Sequence, residues 1–451
     1  MRALVMALLL LPGVAFACAL PPSVITLLPT GYFGLGAALT VGLTAILGSV
    51  SRNPPVMQAH LIANRPVWLP ASVTSYISFL CLAGLILIGF FGPRDPMHNL
   101  MTLVFWTGVW VALPLASMVF GNLWRAINPW MAPVQIARTL LGRTGTIGLA
   151  RFQHWPAVIG FAGFAWFQTI SLSPDDPAVL ARLAVAYWLV IFVLAVAEGE
   201  DWLQQGEFLT VFFGYIAKIA PFWVERDAGR ARFYIGAPGA QILAMPALSA
   251  SGIAFVTLGL AALTFDGLSA SFWWLALIGQ NPLEFAGRSA VVWQNTAGLV
   301  SVWVLTAGLI LGALGLSRRI AKRGFAAGPM MLSFLAIAAG YHAAHNLVTL
   351  LTTGQYTLAA LNDPLFRGDS LLGMPFLYVS FGFLTDGSSI TLIYCVQFAA
   401  ILGAHLLAVM LALKFTAQDG AVRPIAHLPM TALMMAYTVL GLWLMSTVRG
   451  A

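Results

Sequence analysis

The amino-acid sequence predicts an all-α integral membrane protein with about ten transmembrane helices, five in each half. Of its 451 residues, 60% are hydrophobic and only 8% are charged. A soluble protein carries roughly 25% charged residues, so a soluble chain of this composition could not cover its own surface. Apolar stretches near the ~20 residues that a helix needs to cross a bilayer also recur along the whole chain. Both observations indicate a polytopic membrane protein.

The first residues have the form of a secretory signal peptide. Arg2 precedes a short apolar run, and Ala15-Phe16-Ala17 supplies the small-x-small pattern of a cleavage site. We therefore expect residues 1–17 to be removed and Cys18 to become the mature N-terminus. Lipidation of Cys18 and an uncleaved anchor are the alternatives, and an anchor would send the following loop outward as the cleaved form does.

Ten apolar spans follow the signal peptide. The first half, 18–197, contains predicted spans at about 24–50, 71–92, 99–121, 155–173 and 178–197. The second half, 242–451, contains predicted spans at about 242–265, 289–315, 328–353, 389–415 and 428–447. An odd number of spans per half makes the two halves run in opposite directions, as in inverted-repeat transporters.

The section between the halves, 198–241, is predicted to be a cytoplasmic amphipathic or re-entrant segment. If the stretch 201–223 does not cross the membrane, most Lys and Arg residues lie in cytoplasmic loops, as the positive-inside rule requires. We expect Trp202, Phe208 and Phe212 of this stretch to dip into the lipid boundary. The same topology predicts a bacterial inner-membrane protein whose mature N-terminus and C-terminus are periplasmic.

A polar stripe interrupts the predicted span 328–353. In "GYHAAHNLV", Tyr341 and His345 are four residues apart, as are His342 and Asn346, so all four share one helix face in the predicted outer half of the span. Such groups must find partners inside the bundle. They either hold neighbouring helices together or form a functional site.

Two imidazoles at i and i+3 can offer two nitrogens to one divalent metal, whose identity the sequence does not give. Asp266, Gln397 or His405 would supply the third ligand, and Asp266 is also a candidate catalytic base. The pairing of His345 with His405 is an alternative site for haem.

Further polar residues are predicted to line a cavity on the periplasmic side. They are Asn346, Gln397, Gln294, Asn295 and Tyr341. The long outer loop 354–388 contains aromatic residues, Pro and Gly, which predicts a packed lid over this cavity.

Several function classes are disfavoured by missing motifs. The sequence contains no HExxH, GxSxG, Walker or GxGxxG motif. The net charge of +7 is spread over loops, and no basic run exceeds "SRRIAKR". It therefore reflects topology, and no nucleic-acid partner is expected.

The chain resembles a family of bacterial polytopic membrane proteins known as fenitrothion hydrolases. The similar stretches occur in order along the chain: "GNLWRAINPW", "GEFLTVFFGYIAKIAPF", "LTFDGL", "GYHAAHN", "DPLFRGDSLLG", "QFAAILGAHLLAVM" and "LPMTALMMAYTVLGLWLMS". The residues that match the family pattern are Asp266, His342, His345 and His405. The family's mature start often contains a histidine, which "ACALPPS" lacks. The resemblance implies hydrolysis of organophosphorus esters.

Three functions are compatible with the sequence. The first is a metal-assisted membrane hydrolase, in which a metal on His342 and His345 activates water and Asp266 acts as ligand or base. The second is a transporter for a small solute or metal. The third is a haem- or quinone-binding electron-transfer subunit.

Overall fold

The computed structural model describes residues 30–50, 57–227, 229–285, 287–321, 327–374, 378–418 and 424–447. The predicted signal peptide and Cys18 lie outside these ranges. The described chain is mostly helical. Its α-helices in chain order are α1 (Thr30–Val50), α2 (Ala71–Phe91), α3 (Leu100–Phe120), α4 (Trp124–Ile127), α5 (Met131–Leu140), α6 (Trp155–Ile170), α7 (Pro177–Glu198), α8 (Leu203–Gly206), α9 (Phe208–Ile216), α10 (Ala250–Ser269), α11 (Phe272–Leu277), α12 (Val292–Ala321), α13 (Ala327–Leu332), α14 (Phe334–Asn362), α15 (Gly387–Gln418) and α16 (Leu428–Ser446).

Other elements are shorter. Part of α3, Val104–Ala112, is a π-helix. The 3-10 turns are Leu149–Phe152, Glu200–Trp202, Ala217–Ile219, Ala240–Ala244, Arg288–Ala290, Gly382–Leu384 and Pro424–His427. The strands are β1 (Ala59–Pro66), β2 (Phe222–Asp227) and β3 (Arg230–Gly236).

Nine helices within the described ranges are long and apolar enough to cross a membrane. They are α1, α2, α3, α7, α10, α12, α13 with α14, α15, and α16 with the turn before it. These nine coincide with nine of the predicted spans, so the prediction of a polytopic helical membrane protein is confirmed. The tenth predicted span, 155–173, is the 16-residue α6. It is only about 24 Å long at a rise of about 1.5 Å per residue, so a count of ten stays a prediction.

A three-stranded antiparallel sheet adds to the predicted all-α architecture. Its strand order is β1-β3-β2, and Arg65 of β1 and Arg226 of β2 both pair with Ala231 of β3. The sheet joins the loop after α1 to the segment after α9. Both were predicted to be cytoplasmic, and their pairing requires them to lie on one side.

The segment between the halves folds into the helix bundle. α9 packs against α3, α6 and α14. Trp202 and Phe208 are each only 4% exposed, and the ring of Phe212 lies 5.0 Å from that of Trp110. The expectation that these three rings contact the lipid boundary was therefore wrong. Trp202 and Phe208 are buried in the bundle, and Phe212 is partly buried against aromatic side chains.

The predicted lid is shorter than expected. α14 continues through 354–362 and α15 begins at Gly387, so the first nine residues of the predicted loop and its last two belong to helices. The side chain of Asn362 bonds the backbone of Leu372 and Met374 and so fastens the loop to the end of α14.

α10 and α14 form the most enclosed part of the bundle. Within the apolar window of each span, 61% of residues are buried for α10 and 50% for the α13–α14 span, the two highest fractions among the nine. α10 packs against α6, α12, α14 and α16. These two helices carry Asp266, His342 and His345 and so position the candidate site.

Candidate functional site

Asp266 on α10 and His345 on α14 form a hydrogen-bonded pair. The Nε2 atom of His345 lies 2.7 Å from Oδ2 of Asp266, and the two side chains are 10% and 26% exposed. An ionised carboxylate only accepts hydrogen bonds, so with Asp266 ionised the proton lies on Nε2, which donates it. The Nδ1 atom of His345 is buried and has no hydrogen-bond partner among the residues that the structure describes. The pair thus leaves one imidazole nitrogen with an unused lone pair.

His342, one turn earlier on α14, has the same arrangement with a different acceptor. Its Nε2 donates to the backbone carbonyl of Trp110 over 3.0 Å, inside the π-helical part of α3. The imidazole is fully buried, and the rings of Trp110 and Phe212 lie 5.3 and 5.7 Å from it. Within the described part of the chain, Nδ1 of His342 has no hydrogen-bond partner. π-helical turns of this kind are frequent at functional sites.

A narrow cavity begins beside this pair and runs along α10. Its volume for water-sized molecules is about 50 Å³, which is room for a few waters. α3, α6, α9, α10 and α14 enclose it. The lining residues are Trp110, Phe161, Ala165, Gln168, Thr169, Phe212, Tyr215, Ile216, Phe255, Val256, Gly259, Ala262, Leu263, Asp266, Leu335, Ala338 and His342.

The polarity of the cavity changes along its length. Gln168, Thr169 and Asp266 lie near the C-terminal ends of α6 and α10 and make one end polar. Phe255 and Val256, about 15 Å earlier on α10 by the helical rise, lie at the other end, which is mainly apolar. Tyr215, whose ring lies 5.8 Å from that of Phe255, adds one buried hydroxyl there. This gradient suits a slender apolar molecule with one polar group.

Two further residues of the predicted stripe pack around the histidines. The ring of Tyr341 stacks on that of His345 at 5.9 Å. Asn346 is buried, and its side chain donates to the carbonyl of His342 on its own helix. Both residues therefore lie at the site, but neither is among the residues that line the cavity.

The other predicted site residues have separate partners. The side chain of Gln397 donates to the carbonyl of Ala344 over 2.9 Å and joins α15 to α14. Asn295 accepts a hydrogen bond from the indole of Trp274 over 2.8 Å. Both bonds are the helix-to-helix contacts that were the alternative reading of these residues.

Gln294 and His405 also lie apart from the pair. Gln294 is exposed on α12 and is not among the residues that line the cavity along α10. Nδ1 of His405 donates to the carbonyl of Ile401 on its own helix over 2.8 Å. Its Nε2 has no hydrogen-bond partner within the described ranges. The structure therefore brings Asp266, His342 and His345 together, without His405.

The predicted depth of the histidines changes with the observed helix bounds. α14 extends nine residues beyond the predicted end of its span. His342 lies eight residues after the first residue of α14 and twenty before the last. In the combined α13–α14 span, Gly328–Asn362, the stripe therefore lies near the middle, and its position in the outer half stays a prediction. His342 faces the middle of α3.

The fit of a metal to these residues can be judged from the available nitrogens. Metal-binding histidines usually donate their second nitrogen to a carboxylate or carbonyl, as His345 and His342 do here. A closed site needs more than two such ligands. Across the described ranges, no group of three or more His, Cys, Asp or Glu side chains is placed to hold a metal ion. The residues do not fit the predicted three-ligand set.

Sequence reasoning missed the aromatic walls of the cavity. Trp110, Phe161, Phe212 and Phe255 look in sequence like any lipid-facing residues. Phe212 alone gave a signal, because it lies in "GEFLTVFFGYI", an apolar stretch too short to span. Glu207, at the start of that stretch, was also missed, although it is fully buried.

Comparison with known proteins found no relative that could be set beside this site. No protein-family model, curated protein or solved structure matches the chain.

Proposed function

We propose that this membrane protein hydrolyses small, largely apolar esters, phosphoesters included, by acid–base chemistry at Asp266 and His345. The observation that carries the proposal is the 2.7 Å bond from His345 to Asp266, whose carboxylate also lines the cavity. Ionisable groups inside a helix bundle are costly to bury and are usually retained for a function. The resemblance to the fenitrothion hydrolases suggests the ester class.

In this mechanism Asp266 is the general base. A water in the cavity attacks the carbonyl carbon or phosphorus of the ester while Asp266 takes its proton. The bond to the leaving oxygen then breaks, and that oxygen receives the proton from Asp266. His345 is a positioning residue, since its Nε2–H fixes the carboxylate orientation and offsets its charge in a low-dielectric environment.

The cavity limits which esters can react. Its apolar wall favours an alkyl or aryl group, and Gln168 at the polar end offers amide donors to the ester oxygen. His342 contributes a buried nitrogen acceptor beside the same space. A strongly polar or bulky substrate would have to displace aromatic rings, which favours slender substrates.

The test uses the full-length protein in detergent with chromogenic alkyl carboxylate esters and aryl phosphotriesters. Asp266→Asn removes the base and keeps the shape, so hydrolysis should fall about 100-fold or more. Gln397→Leu, which removes a helix-to-helix bond away from the cavity, should retain most activity. If Asp266→Asn hydrolyses every tested ester as fast as the wild-type protein does, the proposal fails.

Metal analysis of the same preparations separates this mechanism from the metal-assisted one. About one metal per chain, lost in both His342→Ala and His345→Ala, would replace the proposal with the metal-assisted mechanism. A Soret band in the purified protein would instead favour the electron-transfer alternative.

A proton-coupled carrier is a second candidate, favoured by the position of the pair. Asp266 and His345 bridge two spanning helices, and the cavity follows α10 for much of its length. Carboxylate–histidine pairs at such positions relay protons in transporters. Solute flux in proteoliposomes that depends on a pH gradient and is lost in Asp266→Asn, with no ester hydrolysis, would establish this function.

A further inference from the structure

The two faces of the three-stranded sheet have different surroundings. Trp223 of β2 is 7% exposed, stacks on Tyr234 and faces Gly121 at the end of α3. This face is covered by the helix bundle. Because side chains alternate along a strand, the residues before and after Trp223 point to the other face.

The other face is half-exposed and apolar. Phe222, Val224, Phe233 and Ile235 are each 39–41% exposed, although an apolar row in water would normally be covered. Val224 pairs with Phe233, and Phe222 pairs with Ile235, so the four form one continuous patch.

Two arginines lie on this same face, at the end where β2 stops and β3 begins. Arg65 of β1 and Arg226 of β2 flank Ala231 in one row, since both pair with it. Neighbouring strands are about 4.8 Å apart, so the two Cα atoms are roughly 10 Å apart across the small Ala231. Within the described ranges, neither guanidinium forms an ion pair or a hydrogen bond.

A cavity of about 490 Å³ lies over this row. Arg65, Arg226, Ala231 and Phe233 line it together with residues 66–69. Trp68 is 91% exposed and stands three residues before α2, which crosses the membrane. Trp at this position is typical of the lipid headgroup region, so the cavity lies at headgroup level.

We infer that this sheet face binds an anionic phospholipid of the cytoplasmic leaflet, with the phosphate between Arg65 and Arg226. The two unpaired guanidinium groups can each donate to phosphate oxygens with matched geometry. Phe233, Val224 and their neighbours then contact the glycerol and upper acyl chains. The two positive charges, the apolar patch and the position at headgroup level all suit a single phospholipid molecule. A free phosphate would contact only the arginines.

The test measures thermal shifts of the full-length protein in detergent with short-chain phosphatidylglycerol, short-chain phosphatidylcholine or inorganic phosphate. Phosphatidylglycerol should bind on the order of tenfold more tightly than phosphatidylcholine. The variant Arg65→Gln/Arg226→Gln should lose that preference. The control Arg230→Gln/Arg232→Gln removes the same charge from the same sheet and should keep it.

A second variant retains both charges. Ala231→Leu fills the floor between the arginines and should also weaken phosphatidylglycerol binding, independently of any effect of charge on folding. Equal loss in the control variant, no preference in the wild type, or stabilisation by inorganic phosphate equal to that by phosphatidylglycerol would each overturn the inference.

Discussion

His345 on α14 donates a hydrogen bond to Asp266 on α10 over 2.7 Å, and this bond ties together the two most enclosed spans of the bundle. Removal of either side chain deletes this bond in a largely apolar environment. His345→Ala should lower the free energy of unfolding by about 1–3 kcal/mol. Unfolding from detergent into denaturing mixed micelles measures this change.

A double-mutant cycle with Asp266→Asn and His345→Gln should give a coupling free energy of about 1.5–3 kcal/mol. The exposed ion pair between Arg232 and Asp227, with side chains 39% and 68% exposed, is the control and should give less than about 1 kcal/mol. Equal coupling in the two cycles would contradict the argument that burial strengthens the Asp266–His345 bond.

His342 and Gln397 make comparable bonds with different consequences. Both are buried, and each donates to a backbone carbonyl, of Trp110 and Ala344 respectively. His342→Leu and Gln397→Leu should therefore each lower the free energy of unfolding by about 1–3 kcal/mol. Only His342→Leu should change ester hydrolysis or solute flux, because His342 lines the cavity. Parallel loss of function in both variants would assign His342 a purely structural role.

The membrane spans were predictable because a bilayer imposes a length and an apolar composition on each crossing helix. The inward direction of Asp266, His342 and His345 was predictable for a related reason, since lipid offers no hydrogen bonds. Asp266 and His345 were therefore identified from the sequence, but the hydrogen bond between them was not. That contact depends on the rotation of α10 against α14, which many packings of apolar side chains would satisfy.

What the sequence missed depends on long-range contacts. β1 and β3 pair across more than 160 residues, from Ala59 to Gly236, and no local pattern encodes such a pairing. The rings of Phe212 and Trp110 were equally compatible with lipid and with a protein interior. Gln294 is one residue from the buried Asn295, so its exposure depends on helix rotation alone.

Glu207 should make stability depend on pH. It lies outside the spanning helices, is fully buried, and accepts hydrogen bonds from the backbone of Leu209 and Thr210 and from the hydroxyl of Tyr187. Burial raises the pKa of Glu207, and these bonds oppose the rise only in part. A carboxyl group whose pKa is higher when folded stabilises the fold when protonated.

Its contribution is therefore fully present below the pKa of the unfolded chain and is lost as the pH rises through the pKa in the folded protein. Wild-type protein should show this loss in thermal unfolding from pH 4 upward, and Glu207→Gln should remove it. An unchanged pH dependence in Glu207→Gln would assign the effect to another group. Glu284→Gln, at an exposed position, is the matched control.

The sheet makes the topology testable at three positions. Asn64 of β1 and Asp227 of β2 belong to one sheet, so both must lie on the same side of the membrane. Glu284 follows α10 and α11, and one crossing therefore separates it from the sheet. With Cys18, Cys81 and Cys395 replaced by Ser, a membrane-impermeant maleimide applied to intact spheroplasts should label Glu284→Cys alone. Asn64→Cys and Asp227→Cys should react only after the membrane is permeabilised.

Labelling of all three positions from outside would refute the assignment of α10 as a crossing helix. Labelling of Asp227→Cys but not Asn64→Cys would mean that 201–223 crosses the bilayer, which the β1–β3 pairing forbids.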